Sequence, residues 1–188
     1  MNTDTQKPWE VIRSEQGPNL VLFQARYDWV KNPRNAKSMK AVILESVDWV
    51  NIVAVTSEKK VVVVKQFRFG VAKTTVEIPA GIIDKGETPE QAAIRELKEE
   101  TGYLFSSVDY LGKIAANPGI LNNYTYMFIT NGKYEKTEKQ FDDNEDIEIG
   151  FFSFNELNEM IKKNEIIQSL NLNAVLLGLM HLGKLKLV

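Results

Sequence analysis

The sequence predicts an α/β protein in which a mixed sheet is flanked by helices, with a strand-rich extension ahead of it. Three observations carry that expectation. β-Branched and aromatic runs crowd the first third of the chain, one sharply bounded helix follows near the middle, and the C-terminal part is helical and apolar. At 188 residues the chain has room for one packed domain but not for two large independent ones.

Strands are expected at residues 9–14, 20–27, 39–47, 49–56 and 61–69. The turn formers Gly17-Pro18-Asn19, Asn32-Pro33-Arg34-Asn35 and Glu58-Lys59-Lys60 separate them. A helix then starts at Thr88-Pro89-Glu90-Gln91, with Thr88 as N-cap, Pro89 in the first turn and Gln91 closing a capping box. Gly102 supplies its stop. Ala93, Ile94 and Leu97 form the buried stripe of this helix, and Glu90, Lys98, Glu96, Glu99 and Glu100 its outer faces. Further strands are expected at 110–115, 124–130 and 147–152, and helices at 155–163 and 170–184. The longest apolar stretch, 172–182, contains Asn173 and His181 and is too short to span a bilayer, so it reads as a buried helix with a structural histidine. No internal repeat or low-complexity tract interrupts this order.

Composition narrows the function. With 44% hydrophobic and 26% charged residues the chain reads as an ordinary globular protein. Zero cysteines exclude disulfides, thiolate catalysis and thiolate metal sites, and fit a reducing, cytoplasmic location. A formal net charge of −2 without a long basic run argues against backbone-driven nucleic-acid binding, while a small phosphorylated ligand stays open. The N-terminus, MNTDTQKPWE, has no apolar core of a signal peptide.

The chemistry concentrates in residues 81–103. Glu96, Glu99 and Glu100 fall within one helical turn, where side chains three and four apart are neighbours. Two carboxylates about 4 Å apart repel by roughly 4 kcal/mol at the effective dielectric of a protein surface. Either the trio is a solvated acidic face, or a hard divalent cation such as magnesium or manganese offsets the repulsion.

The spacing of Gly81, Glu87, Arg95, Glu96, Leu97, Glu99, Glu100 and Gly102 resembles the Nudix box, G-x5-E-x7-R-E-U-x-E-E-x-G-U with U a bulky aliphatic residue. Tyr103 alone departs, placing a ring at the last aliphatic position as a packing variant. The resemblance implies the α/β/α Nudix sandwich. It also implies a divalent cation, Mg2+ or Mn2+, held by Glu96, Glu99, Glu100 and the backbone carbonyl of Ala80. Gly81, lacking a Cβ, would let the chain approach the ion.

Upstream, Val61-VVVKQFRFGVAKTTVEIPAG is similar to ADP-ribose pyrophosphatases and related nucleoside diphosphate sugar hydrolases. In that branch Gln66 and Arg68 would lie at the substrate, Arg68 offering a planar fork to a diphosphate; a strand arginine on the sheet surface is the plainer reading. Glu77 would pair with the nucleotide or with Arg68. Pro118 and Gly119 sit where the branch places a proline turn in the pocket wall, although Asn122 and Asn123 stand where it often has an acidic residue. Residues 141–147 resemble the branch's acidic loop, which would make Asp143 and Glu145 catalytic carboxylates; otherwise they decorate an exposed loop.

The expected activity is metal-assisted hydrolysis of ADP-ribose or a nucleoside diphosphate sugar, with Glu99, Glu100, Glu145 and Asp143 as catalytic carboxylates. Another nucleotide substrate, or a non-catalytic nucleotide sensor, are the alternatives. By resemblance, residues 1–47 form a β-rich dimerisation or substrate-binding part, residues 48–188 the Nudix domain, and the protein a homodimer without nucleic-acid or membrane partners.

Overall fold

The computed structural model describes residues 7–138 and 146–186. By its contacts the chain divides into two units, one of residues 1–46 with 117–123 and one of residues 47–116 with 124–188.

The first unit is a three-stranded antiparallel sheet of β1 (Glu10–Asn19), β2 (Gln24–Lys31) and β3 (Ser38–Glu45) in that order. Gly17-Pro18-Asn19 does not separate strands, as the sequence suggested. Strand β1 runs through it with a register shift between Gln16 and Asn19, which an edge strand tolerates because Pro18 has no ladder bond to lose. The turn falls later, where Asn19 Oδ1 accepts the Val21 N–H at 2.8 Å and Val21 takes a left-handed φ of 70°. One face of β2 is aromatic, with Arg13 over the Trp29 ring and Lys40 over Tyr27. The other carries Arg26, which bonds both Asp28 oxygens and Glu45. Residues 117–123 join this unit through a Leu44 N–H bond to Ile120 O at 2.8 Å.

The second unit is built on a seven-stranded mixed sheet. Its central strand β4 (Trp49–Thr56) pairs parallel with β10 (Thr125–Gly132), which in turn pairs antiparallel with β9 (Asp109–Ile114). On the other side lie β5 (Lys60–Arg68) and β12 (Ile147–Ser153). Strands β4 and β5 share only the Val55–Val61 pair. Beyond it they take separate partners, β7 (Ala80–Ile82) on β4 and β6 (Lys73–Glu77) on β5. A two-stranded ribbon of β8 (Tyr103–Leu104) and β11 (Glu135–Lys136) completes the strands. β6, β7, β8 and β11 were not legible as strands. Three are only two or three residues long, and β6 reads KTTVE, too polar and short to stand out.

Strand β4 is buried on both faces, which explains its nearly continuous apolar sequence. Val50, Ile52 and Ala54 meet α1 (Pro89–Thr101) through Ala92, Ala93 and Leu97. Val53 and Val55 face α3 (Ser169–His181) through Ala174, Val175 and Leu179, and α2 (Phe154–Lys162) covers β12. This is the α/β/α sandwich expected. Helix α3 ends earlier than residue 184 and is buried on one face only, with Met180 60% exposed and His181 exposed. Among the described residues no helix is long and apolar enough to cross a membrane.

Candidate active site

Helix α1 begins as its sequence dictates. Thr88 Oγ1 accepts the Gln91 N–H at 3.3 Å, Gln91 Oε1 accepts the Thr88 N–H at 2.9 Å, and Pro89 sits in the first turn. Gly102 closes it with a left-handed φ of 71° and an N–H bond to Lys98 O at 2.7 Å. Tyr103 beyond it packs on Tyr134, ring centroids 4.6 Å apart, so the ring in place of an aliphatic residue fills an aromatic core pocket.

Along α1 the carboxylates are not all outward, as expected from the stripe alone. Glu100 is buried at 5% exposure, Ala92 joins Ala93 and Leu97 in the core, and Ile94 is only half-buried. The core face of the helix is rotated toward Glu100, placing an ionisable group where periodicity predicts an apolar one.

Arg95 organises the rest. Its Nε and Nη2 donate to the two oxygens of Glu87 at 2.9 Å each, and Nη1 donates to Glu96 Oε1 at 2.8 Å and Glu99 Oε2 at 3.0 Å. Nη2 also donates to the backbone oxygen of Ile82 at 2.9 Å. The hydrogen bond to Glu87, opposed by partial burial and reinforced by Glu96 and Glu99, raises the already high pKa of Arg95. In return the Arg95 hydrogen bond holds the Glu87 carboxyl below its ordinary value of 4.5, against a smaller opposing effect of burial. One guanidinium thus offsets the mutual repulsion of the box glutamates.

The loop before the helix is shaped to meet these side chains. Ile52 N–H bonds Pro79 O and Ile83 N–H bonds Asp48 O, each at 2.9 Å, so Ala80 and Ile82 occupy the alternate positions of the β4–β7 ladder, where backbone groups point away from the partner strand. The Ile82 carbonyl goes to Arg95; that of Ala80 leaves the ladder in the same sense. Between them a β-carbon built on Gly81 would overlap the Glu96 carboxylate. What the missing Cβ of Gly81 accommodates is therefore the close approach of a side chain, not a positive φ.

The other expected site residues lie on other elements. Gln66 is half-buried on β5, opposite Ile147 and Thr75. Arg68 grips Glu77 with two 2.7 Å bonds, from Nε to Oε1 and from Nη2 to Oε2. Glu77, with a fully buried side chain, also accepts from Thr75 Oγ1 at 2.6 Å and Asn171 Nδ2 at 3.3 Å. Glu77 thus pairs with Arg68, one of the two partners expected for it. Burial pushes the Glu77 carboxyl up, but the hydrogen bonds from Arg68 and Thr75 outweigh it and leave the group below its ordinary value. Pro118 and Gly119 are exposed in a turn of the first unit rather than in the unit that carries the box. Asp143 and Glu145 lie outside the described residues. Sequence reading missed Asn171, whose partner Glu77 is 94 residues away in the chain; nothing in the local pattern announces it.

Among the described residues no three acidic or histidine side chains converge closely enough, as they stand, to hold a metal ion. The donor set nevertheless suits a hard divalent cation, because carboxylate and carbonyl oxygens are its ordinary ligands. Glu96 packed over Gly81, Glu99 beside it and the outward Ala80 carbonyl are donors of that kind.

The NUDIX domain family model matches residues 47–170. Over 167 residues the chain is 32% identical to a methanol dehydrogenase activator of Bacillus methanolicus, covering 88% of this chain and 90% of that protein. Over 142 residues it is 32% identical to an ADP-ribose pyrophosphatase of Bacillus subtilis, covering 75% and 77%. The crystal structure of an ADP compounds hydrolase superimposes with a TM-score of 0.83 over 97% of this chain and 100% of that one; at 16% identity this likeness establishes the fold.

Two outcomes test this geometry. Gly81→Ala should displace the Glu96 carboxylate in a crystal structure while lowering Tm by only about 4 °C; an unmoved Glu96 would contradict the packing. Because the folded pKa of Glu87 is lowered, its stabilisation is complete above the ordinary carboxylate value and is lost as pH falls through the lowered one. Glu87→Gln should therefore unfold at lower denaturant concentration than wild type at pH 7, by about 1–2 kcal/mol, with the gap closing below pH 4 or so. A gap independent of pH would refute the pairing.

Proposed function

The chain belongs to the Nudix family, and from that premise we propose that it is the hydrolase of a diphosphate bridge, cutting ADP-ribose and related nucleoside diphosphate sugars to a nucleoside monophosphate and a sugar phosphate. The observation that carries this reading is the box itself. Glu96, Glu99 and Glu87 are held on one guanidinium, with the Glu96 carboxylate seated against Gly81, where a β-carbon would displace it. Relatives named as ADP-ribose pyrophosphatases support the choice of substrate class.

Nudix hydrolases generally need divalent metal ions. We assign Mg2+, with Mn2+ as a substitute, to Glu96, Glu99, Glu100 and the Ala80 carbonyl. A bound ion there would act as a Lewis acid on the phosphate oxygens and acidify a water. The chain's own residues do the rest. Arg95 keeps Glu87, Glu96 and Glu99 oriented, and Gly81 lets the loop lie against Glu96. Arg68, its guanidinium fixed on Glu77 and its side chain 41% exposed, supplies positive charge to the diphosphate. Glu145, or one of the box glutamates, takes the proton of the attacking water.

The test is a panel of ADP-ribose, nucleotide sugars, dinucleoside polyphosphates and nucleoside triphosphates, assayed with Mg2+ and with product identification. ADP-ribose should give AMP and ribose phosphate, and chelation should stop turnover. Glu100→Gln should lower kcat by about a hundredfold or more. Release of inorganic pyrophosphate from triphosphates, with the diphosphates untouched, would contradict the proposal, and an unchanged rate would remove Glu100 from the mechanism.

A further inference from the structure

Asn171 is completely buried in the first turn of α3 and has both ends of its amide committed. Its Oδ1 accepts the Ile78 N–H at 2.5 Å, and its Nδ2 donates to Glu77 Oε2 at 3.3 Å. Its own backbone N–H is held by Gln168 Oε1 at 2.7 Å, so the side chain is anchored at the helix cap. Glu77 and Asn171 share the lining of a small cavity whose other walls are apolar, among them Val63, Leu157, Ile166 and Val175. An ionised carboxylate in such a setting depends on every donor it has. Those donors are Arg68, Thr75 and Asn171.

We propose that Asn171 is a positioning residue for the reaction, acting through Glu77 to hold the Arg68 guanidinium in the orientation that receives the diphosphate. The chain of contacts runs from the α3 cap to Asn171, from Asn171 to Glu77 Oε2, and from both Glu77 oxygens to the Nε and Nη2 edge of Arg68. Oε2 is shared, because Nη2 of Arg68 and Nδ2 of Asn171 both donate to it. Losing Nδ2 lets the carboxylate rotate, and the bidentate grip on Arg68 rotates with it. The bond from the Ile78 N–H to Oδ1 holds the amide against rotation, so that Nδ2 stays aimed at Glu77. This inference rests on the reading of Arg68 as a diphosphate ligand.

The test uses Asn171→Ala and Asn171→Leu, the latter preserving core volume where the smaller residue unfolds the protein. Each should raise KM for ADP-ribose about tenfold, the size of one hydrogen bond to a charged group, with kcat changed far less. In an Arg68→Ala background the same substitution should add almost nothing, because the two act in series. The Arg68 Nε–H resonance, protected in the wild type by its bond to Glu77, should broaden in both variants. A folded variant with wild-type KM, a KM effect that adds in full to that of Arg68→Ala, or an Nε–H resonance that stays sharp would each overturn the inference. If Arg68→Ala itself leaves KM unchanged, the diphosphate reading fails instead, and the resonance alone then decides whether Asn171 holds Arg68.

Discussion

The Arg95 guanidinium is the interaction on which the site depends. A helix with glutamates at 96, 99 and 100 concentrates negative charge within one turn. Arg95 turns that liability into a fixed array by donating to Glu87, Glu96, Glu99 and the Ile82 carbonyl at once. Its planar fork suits the task where a lysine would not, since one ammonium cannot bridge carboxylates approaching from loop and helix together. The network also joins helix to strand, because Glu87 belongs to the loop and Ile82 to β7.

The scaffold under this array is strict for a related reason. β4 must be apolar on both faces to be sandwiched between α1 and α3, and β7 must lie on β4 for the Ile82 carbonyl to meet Arg95. Glu96 then descends onto the backbone at Gly81. Core packing, ladder register and the charge network therefore specify the same position, and such agreement between levels makes a site rigid.

Much of this was legible in the chain itself. The capping box at Thr88 and Gln91, the stop at Gly102 and the long strands β4, β5, β10 and β12 follow from local propensity and periodicity, which neighbours in sequence decide. Short strands did not follow. β7 exists because β4 offers it a partner, not because Ala80-Gly81-Ile82 favours extension. Burial of Glu100 was hidden because a hydrophobic stripe gives no place to a carboxylate. Gly17-Pro18 misled because an edge strand tolerates what a central strand would not. Asn171 was invisible because its role is set wholly by tertiary contact.

The proposed function requires the box carboxylates and the Ala80 carbonyl to bind a divalent cation. Anomalous diffraction from crystals soaked in Mn2+ with a non-hydrolysable ADP-ribose analogue tests it most directly. An anomalous peak is expected within coordination distance of Glu96, Glu100 and the Ala80 oxygen. A fully occupied analogue with no peak beside those atoms, or with manganese bound only elsewhere, would contradict it.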